Sequence, residues 1–225
     1  MEDASAQDRL DSVRRSIAEA ARLAKRSPDA ITLIAVSKTH EPAAILPLIE
    51  AGQRDFGENR VQEAAAKWPA LRERHPGIRL HLVGQLQSNK AEQAVELFDV
   101  IHSLDRSSLL QALARASDKA GRRPDCFIQV NLADEPQKGG CSPADLPSLL
   151  DEAQGANLPV IGLMCIPPAE LEPAPWFALL AELARRHDLP ALSMGMSADF
   201  ATAVTIGATH VRVGTALFGA RETAA

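Results

Sequence analysis

Apolar positions along this chain fall into two alternating rhythms. Leu10, Val13, Ile17 and Ala21 recur at helical spacing and lead into Leu23 and Ala24, which predicts an amphipathic helix over residues 6 to 26. The run Ile31-Thr32-Leu33-Ile34-Ala35-Val36-Ser37-Lys38 is β-branched and nearly continuous, the pattern of a strand buried on both faces. Glu41-Pro42 then opens a helix through Ile45, Leu48 and Ile49, with proline tolerated in the first turn, and Ala51-Gly52 stops it. The same unit repeats to the end. Further apolar segments lie around 54–57, 80–83, 100–103, 127–131, 160–165, 192–194 and 210–213. Helical stretches near 59–74, 89–97, 106–120, 143–155, 174–187 and 198–206 separate them. Strict alternation predicts a parallel sheet, and eight strands in 225 residues predict a closed (β/α)8 barrel. The segment at 54–57 is the weakest of the set, which leaves an open doubly wound sheet as the alternative. No linker or shift in composition divides residues 1–225, so a single domain is expected.

Composition narrows the class. A net charge of −5, from 24 Lys+Arg against 29 Asp+Glu, argues against an electrostatic nucleic-acid binder. No apolar run approaches the roughly 18 residues of a membrane span, so no membrane anchor is expected. The opening Met1-Glu2-Asp3-Ala4-Ser5-Ala6-Gln7-Asp8 is acidic and lacks the plan of a signal peptide. Cys126, Cys141 and Cys165 have neither metal spacing nor an even count, which fits reduced thiols in the cytoplasm. The chain holds 0 tyrosines, so any mechanism that needs a phenol must borrow one.

Barrel proteins carry their chemistry at the carboxyl ends of the strands. Lys38 stands at such an end. Partial withdrawal from water penalises its ammonium form, lowers its pKa and favours a neutral amine that attacks a carbonyl. The competing reading is a lysine that snorkels its charge out of the mouth. The ends of the seventh and eighth strands, Ser193-Met194-Gly195-Met196-Ser197 and Arg212-Val213-Gly214-Thr215, are rich in small residues and hydroxyls. Such segments let backbone N–H groups approach an anion, and barrels often bind phosphate there; as structural glycines, Gly195 and Gly214 would only relieve tight turns. His81 and His102 fall mid-strand and read as core or supporting groups, and the six histidines show no metal-ligand spacing. Asp55, Glu58 and Glu63 are expected on a solvated face or at a helix cap, with Glu58 able to reach the site from its strand end.

Five segments, in this order, carry a resemblance. They are Ile34-Ala35-Val36-Ser37-Lys38-Thr39; Phe56-Gly57-Glu58-Asn59-Arg60-Val61-Gln62-Glu63; His81 through Lys90; Ser193-Met194-Gly195-Met196-Ser197-Ala198-Asp199; and Val211 through Arg221. Together they resemble the pyridoxal phosphate homeostasis proteins, relatives of the barrel half of alanine racemase. The resemblance implies a TIM barrel of pyridoxal phosphate fold type III without the C-terminal β-domain of alanine racemase. It implies pyridoxal 5'-phosphate as cofactor, joined to Lys38 as a Schiff base. Ser193, Gly214 and Thr215 would hold the phosphate, with Met194 and Gly195 close by, and Arg212 would face the pyridine nitrogen. Asn59 and Lys138 would lie near the cofactor or its approach.

Departures from the family pattern matter too. Relatives often have an aromatic residue where this chain has Arg60, and many carry a tyrosine and a basic tail where this sequence reads Arg221-Glu222-Thr223-Ala224-Ala225. In alanine racemases the partner of the lysine is a tyrosine from the added β-domain of the other subunit. Its absence here implies a protein that stores, buffers or delivers the cofactor without strong catalysis. Pyridoxal phosphate-dependent apo-enzymes are the expected recipients, and a monomer is the expected form. A pyridoxal phosphate-dependent racemase of low activity is the alternative, and a class I aldolase acting on a phosphorylated sugar would keep the barrel and lysine without the cofactor.

Overall fold

The structure, a computed structural model, describes residues 4–219, so the tail residues 221–225 lie outside it. Its eight strands are β1 (Thr32–Val36), β2 (Asp55–Glu58), β3 (Arg79–Leu82), β4 (Val100–Leu104), β5 (Asp125–Gln129), β6 (Val160–Met164), β7 (Ala191–Ser193) and β8 (His210–Val213). They pair in parallel in chain order, and β8 returns to β1 with Ile34 opposite Arg212. The sheet is closed, which removes the open-sheet alternative. The weak segment at 54–57 is a true strand, Asp55–Glu58, whose two end carboxylates bond to buried partners instead of packing as apolar side chains.

Around the barrel run α1 (Ala6–Leu23), α2 (Pro42–Glu50), α3 (Val61–Arg74), α4 (Ala91–Leu97), α5 (Ser107–Ala120), α6 (Leu146–Gly155), α7 (Ala174–Arg186), α8 (Phe200–Ile206) and α9 (Thr215–Phe218). The two faces of each strand serve different cores. Leu33, Ala35, Phe56, Leu80, Leu82, Ile101, Ile128, Leu192, Val211 and Val213 pack outward against the helices. Inside the barrel, Val100, Phe127, Met164 and Ala191 form a separate apolar cluster. Side chains alternate along a strand, so an inward set and an outward set must interleave in this way.

α1 precedes the first strand and starts with a capping box. The Ser5 hydroxyl accepts the Asp8 N–H at 3.1 Å, and the Asp8 carboxylate accepts the Ser5 N–H at 3.1 Å. The helix ends at Leu23 rather than residue 26, because Lys25 turns left-handed (φ 54°) and the Arg26 N–H closes back on the Ala21 carbonyl. Leu10, Val13, Ile17, Ala20 and Ala21 are buried, and the helix packs on α8 and α9. Arg9 Nε reaches the Leu217 carbonyl (2.6 Å), and Arg26 Nη1 reaches those of Val204 (3.0 Å) and Ala208 (2.8 Å). α1 therefore braces the two elements that begin beyond β7 and β8. Among the described residues no helix is long and apolar enough to cross a membrane.

Leu10 is fully buried beneath this brace. Leu10→Ala should destabilise the fold by about 2–5 kcal/mol, since it removes apolar contact and leaves a cavity. Urea denaturation should show a lowered midpoint with an unchanged slope.

Candidate functional site

At the carboxyl end of β1 the chain makes a tight turn, Ser37-Lys38-Thr39-His40, closed by the His40 N–H on the Ser37 carbonyl at 3.1 Å. Thr39 sits at φ 65°, the left-handed conformation that the third position of a type II turn needs. Lys38 projects from the turn into a cavity of about 370 Å³ at the carboxyl mouth of the barrel. It is half-buried, and its Nζ has no hydrogen-bond or ion-pair partner among the described residues. A broader hollow of about 580 Å³ lies at the opposite end, beside Thr32, Arg54 and Asp55, away from the strand ends that carry chemistry in barrels.

Asn59, Arg212, Gly214 and Thr215 line the cavity with Lys38, as do Val36, Val83 and Ile166. The stretch after β7 contributes Met196, Ser197 and Ala198 instead of Ser193, Met194 and Gly195. Each displaced residue has a physical reason. Ser193 points inside the barrel and is fully buried, while Met194 belongs to the outer core under the helices. Gly195 takes φ 92°, and a Cβ there would sit 2.6 Å from that of Ala203, so it lets the chain pass close over α8. Only beyond this turn does the backbone face the cavity. The Ser197 hydroxyl accepts the Gly214 N–H at 3.3 Å, joining the two mouth segments. The amides of Ser197 and Ala198 have no partner among the described residues, and that of Thr215, in the first turn of α9, has none within its helix. Among the described residues no carboxylate lines the cavity.

Arg212 is 4% exposed and lines the cavity. Nη1 donates to Ser193 Oγ (2.6 Å) and Nη2 to the Cys165 carbonyl (3.0 Å), which engages two of its N–H bonds. From Ser193 a buried chain crosses the barrel interior. Ser193 Oγ lies 2.8 Å from His102 Nδ1, His102 Nε2 lies 3.0 Å from His81 Nδ1, and His81 Nε2 lies 3.0 Å from Asp55 Oδ1. A carboxylate only accepts and a neutral imidazole donates from one nitrogen and accepts at the other, so neutral rings give every link one direction. Ser193 donates to His102, His102 to His81, and His81 to Asp55, with both imidazoles neutral. Burial lowers the pKa of both rings, His102 well below its usual value, in agreement with that assignment. His102 also stacks on Phe127 with centroids 4.5 Å apart.

Glu58 and Glu63 do not lie on a solvated face. Glu58 is fully buried between β2 and α3, where Oε1 accepts from Ser37 Oγ (2.6 Å) and Trp68 Nε1 (2.9 Å); it does not line the cavity. Glu63 Oε1 accepts the Thr39 N–H at 2.5 Å. Asp55 ends the histidine chain instead of facing water freely. Lys138 is also absent from the lining and donates to the Pro167 carbonyl at 3.0 Å, while Arg60 is exposed at the start of α3. Cys126, Cys141 and Cys165 are free and buried, and burial pushes each thiol up to about 12. Among the described residues no cluster of His, Cys, Asp and Glu could hold a metal ion.

A parallel barrel with a half-buried lysine after β1, in a cavity lined by the segments that follow β7 and β8, defines a class, and residues 9–222 match the family described as alanine racemase, N-terminal domain. Alanine racemase of Clostridium difficile shares this fold at a TM-score of 0.69 and 14% identity, over 95% of this chain and 58% of that one. Nearer relatives narrow the class. The pyridoxal phosphate homeostasis protein of Pseudomonas aeruginosa is 43% identical, over 92% of this chain and 91% of its own length. PipY of Synechococcus elongatus, solved without and with PLP bound, is 46% identical over 90% of this chain and all of its own, at TM-scores of 0.80 and 0.79. This chain belongs to the pyridoxal phosphate homeostasis protein family.

The neutral interior imidazoles make stability depend on pH. The unfolded chain takes up protons near pH 6.5, whereas folded His81 and His102 take them up only at lower pH, so stability is full above about 6.5 and falls on acidification below it. Each ring should contribute about 1.4 kcal/mol per pH unit within its window. Urea midpoints measured from pH 7.5 to pH 5.5 should therefore drop; a flat profile would contradict the neutral chain.

Proposed function

We propose that the cavity holds pyridoxal 5'-phosphate and that the chain keeps this cofactor in reserve for buffering or delivery within the cytoplasm, without strong catalysis of its own. The observation that carries the reading is the half-buried Lys38 amine, without a polar partner among the described residues, in a cavity that it shares with Arg212, Ser197, Gly214 and Thr215. The donor set fits the cofactor's two polar ends, with a guanidinium for the ring nitrogen and a belt of amides and hydroxyls for a phosphate. The names of the curated relatives and the PLP-bound form of PipY support the same assignment.

When bound, the cofactor supplies an aldehyde that combines reversibly with an amine. Lys38 provides that amine. Ser197, Ala198, Gly214 and Thr215 bind the phosphate through hydroxyl and backbone donors, in place of the Ser193-Met194-Gly195 stretch. Asn59, at the end of β2, lines the wall on the other side of Lys38. Arg212, held by Ser193 and the Cys165 carbonyl, keeps a proton off the ring nitrogen, because a second positive charge beside the guanidinium is disfavoured. A ring left neutral is a poorer electron sink, which limits carbanion chemistry.

Racemisation by two bases needs acid–base groups on both faces of a substrate. None of the 225 residues is a tyrosine, and the titratable residues of the described lining are Lys38, Arg212 and His40, the last on the same turn as Lys38. Storage fits this inventory better than turnover. We infer a monomer that releases the cofactor to apo-enzymes.

Incubated with pyridoxal phosphate, the wild-type protein should develop a visible absorption band that Lys38→Ala lacks, and borohydride should fix the adduct on the peptide containing Lys38. If neither protein shows a band, the cavity serves another ligand. The phosphate cradle is tested separately. Ser197→Ala should weaken pyridoxal phosphate about tenfold or more, the loss of one hydrogen bond to a charged group, while leaving pyridoxal, which lacks the phosphate, unaffected. Ser193→Ala should weaken both ligands alike, because it disturbs Arg212 and not the phosphate.

A further inference from the structure

The turn that carries Lys38 needs external support. One backbone hydrogen bond closes it, and Thr39, a β-branched residue, is held at φ 65°, where such residues are rarely found. The support comes from α3. Lys67 is 7% exposed and lies outside the strands, with no part in the cavity lining. Its ammonium donates to the Ser37 carbonyl at 2.9 Å and to the His40 carbonyl at 3.0 Å, the two ends of the turn. The same nitrogen lies 3.0 Å from Glu63 Oε1 and 2.9 Å from Glu58 Oε1. Glu63 in turn takes the Thr39 N–H, and Glu58 takes the Ser37 hydroxyl. One helix thus grips Ser37, Thr39 and His40 and leaves the Lys38 side chain as the free member of the turn.

We propose that Lys67, with Glu63, is a positioning residue for Lys38: it locks the turn from residue 37 to residue 40 so that the Lys38 amine is presented to the cavity, and so sets the rate at which the cofactor is captured. The inference rests on the reading of the cavity as a pyridoxal phosphate site, and it adds a control point behind that site. A buried ammonium whose only task was to neutralise two carboxylates would not need both carbonyls of the turn. Nor would Glu63, one helical turn away on α3, need the amide of Thr39.

Two readouts separate positioning from mere stability, both taken well below the melting temperature. One is the rate of pyridoxal phosphate capture, followed by the visible band. The other is labelling of the cofactor-free protein with trinitrobenzenesulfonate, mapped lysine by lysine. In Lys67→Met the unlocked turn should slow capture about tenfold or more, as misplacement of a reacting group does. The same variant should label faster at Lys38 alone, by about fivefold, because the turn opens locally while the rest of the fold stays closed. Lys67→Arg should restore part of both rates. Glu63→Gln, which alters a carboxylate 28% exposed, should move both in the same direction by less, and it decides the matter if Lys67→Met fails to fold. Wild-type rates in folded variants, with only the melting temperature lowered, would overturn the proposal, as would faster labelling at all lysines together. Absence of capture by the wild-type protein would instead overturn the cofactor reading, and the labelling contrast at Lys38 would still judge the lock.

Discussion

The placement of one buried arginine governs the interior of this barrel. Arg212 enters from β8 and has five N–H bonds to satisfy and nothing to accept with. Burial works against its charge. The fold answers with acceptors arranged in line, from Ser193 through His102 and His81 to Asp55 on the far side. Because His102 on β4 and Ser193 on β7 belong to strands that do not pair, their contact exists only through the closed interior. Closure of the sheet, the tautomers of two histidines and the orientation of the guanidinium are thus one constraint seen from three sides.

The same alternation that fills the interior with polar groups also divides labour at the mouth. Inward positions at strand ends face the cavity, and outward ones meet the helices. Lys38 and Arg212 take the first role, while Glu58 takes the second although it too closes a strand. The carboxylates are kept behind the wall, where they organise backbone. Among the described residues the cavity keeps Lys38 and Arg212 and no carboxylate, which suits an anionic ligand.

Much of the architecture was legible in the chain. Strands buried on both faces need almost continuous apolar runs, and β1 and β6 show them plainly. β2 was harder to read, because Asp55 and Glu58 at its ends bond to buried partners instead of packing as apolar side chains. α9 was missed, since four residues are too short for a periodicity. At the site, Lys38, Gly214 and Thr215 were reached by reasoning from strand ends, and Asn59 and Arg212 through the family resemblance; all five line the cavity. That reasoning fails after β7. The chain leaves the strand at Ser193 and must pass Gly195 and skirt α8 before it turns inward, so the donors lie a few residues later, at Ser197 and Ala198. Lys67 carried only the signature of an ordinary helical pair with Glu63, and its burial follows from a tertiary contact that no local spacing records.

The closing of β8 on β1 has a temporal side. Lys38 follows the first strand, whereas Ser197, Arg212, Gly214 and Thr215 follow the last two, and only the pairing of Ile34 with Arg212 and its neighbours brings them together. Loop closure over most of the chain must come before that meeting. A ribosome-bound chain still short of its eighth strand carries the amine without the Arg212, Gly214 and Thr215 that share its cavity. Ligand binding therefore reports that the barrel is finished, and the ligand can stabilise only molecules that have already closed.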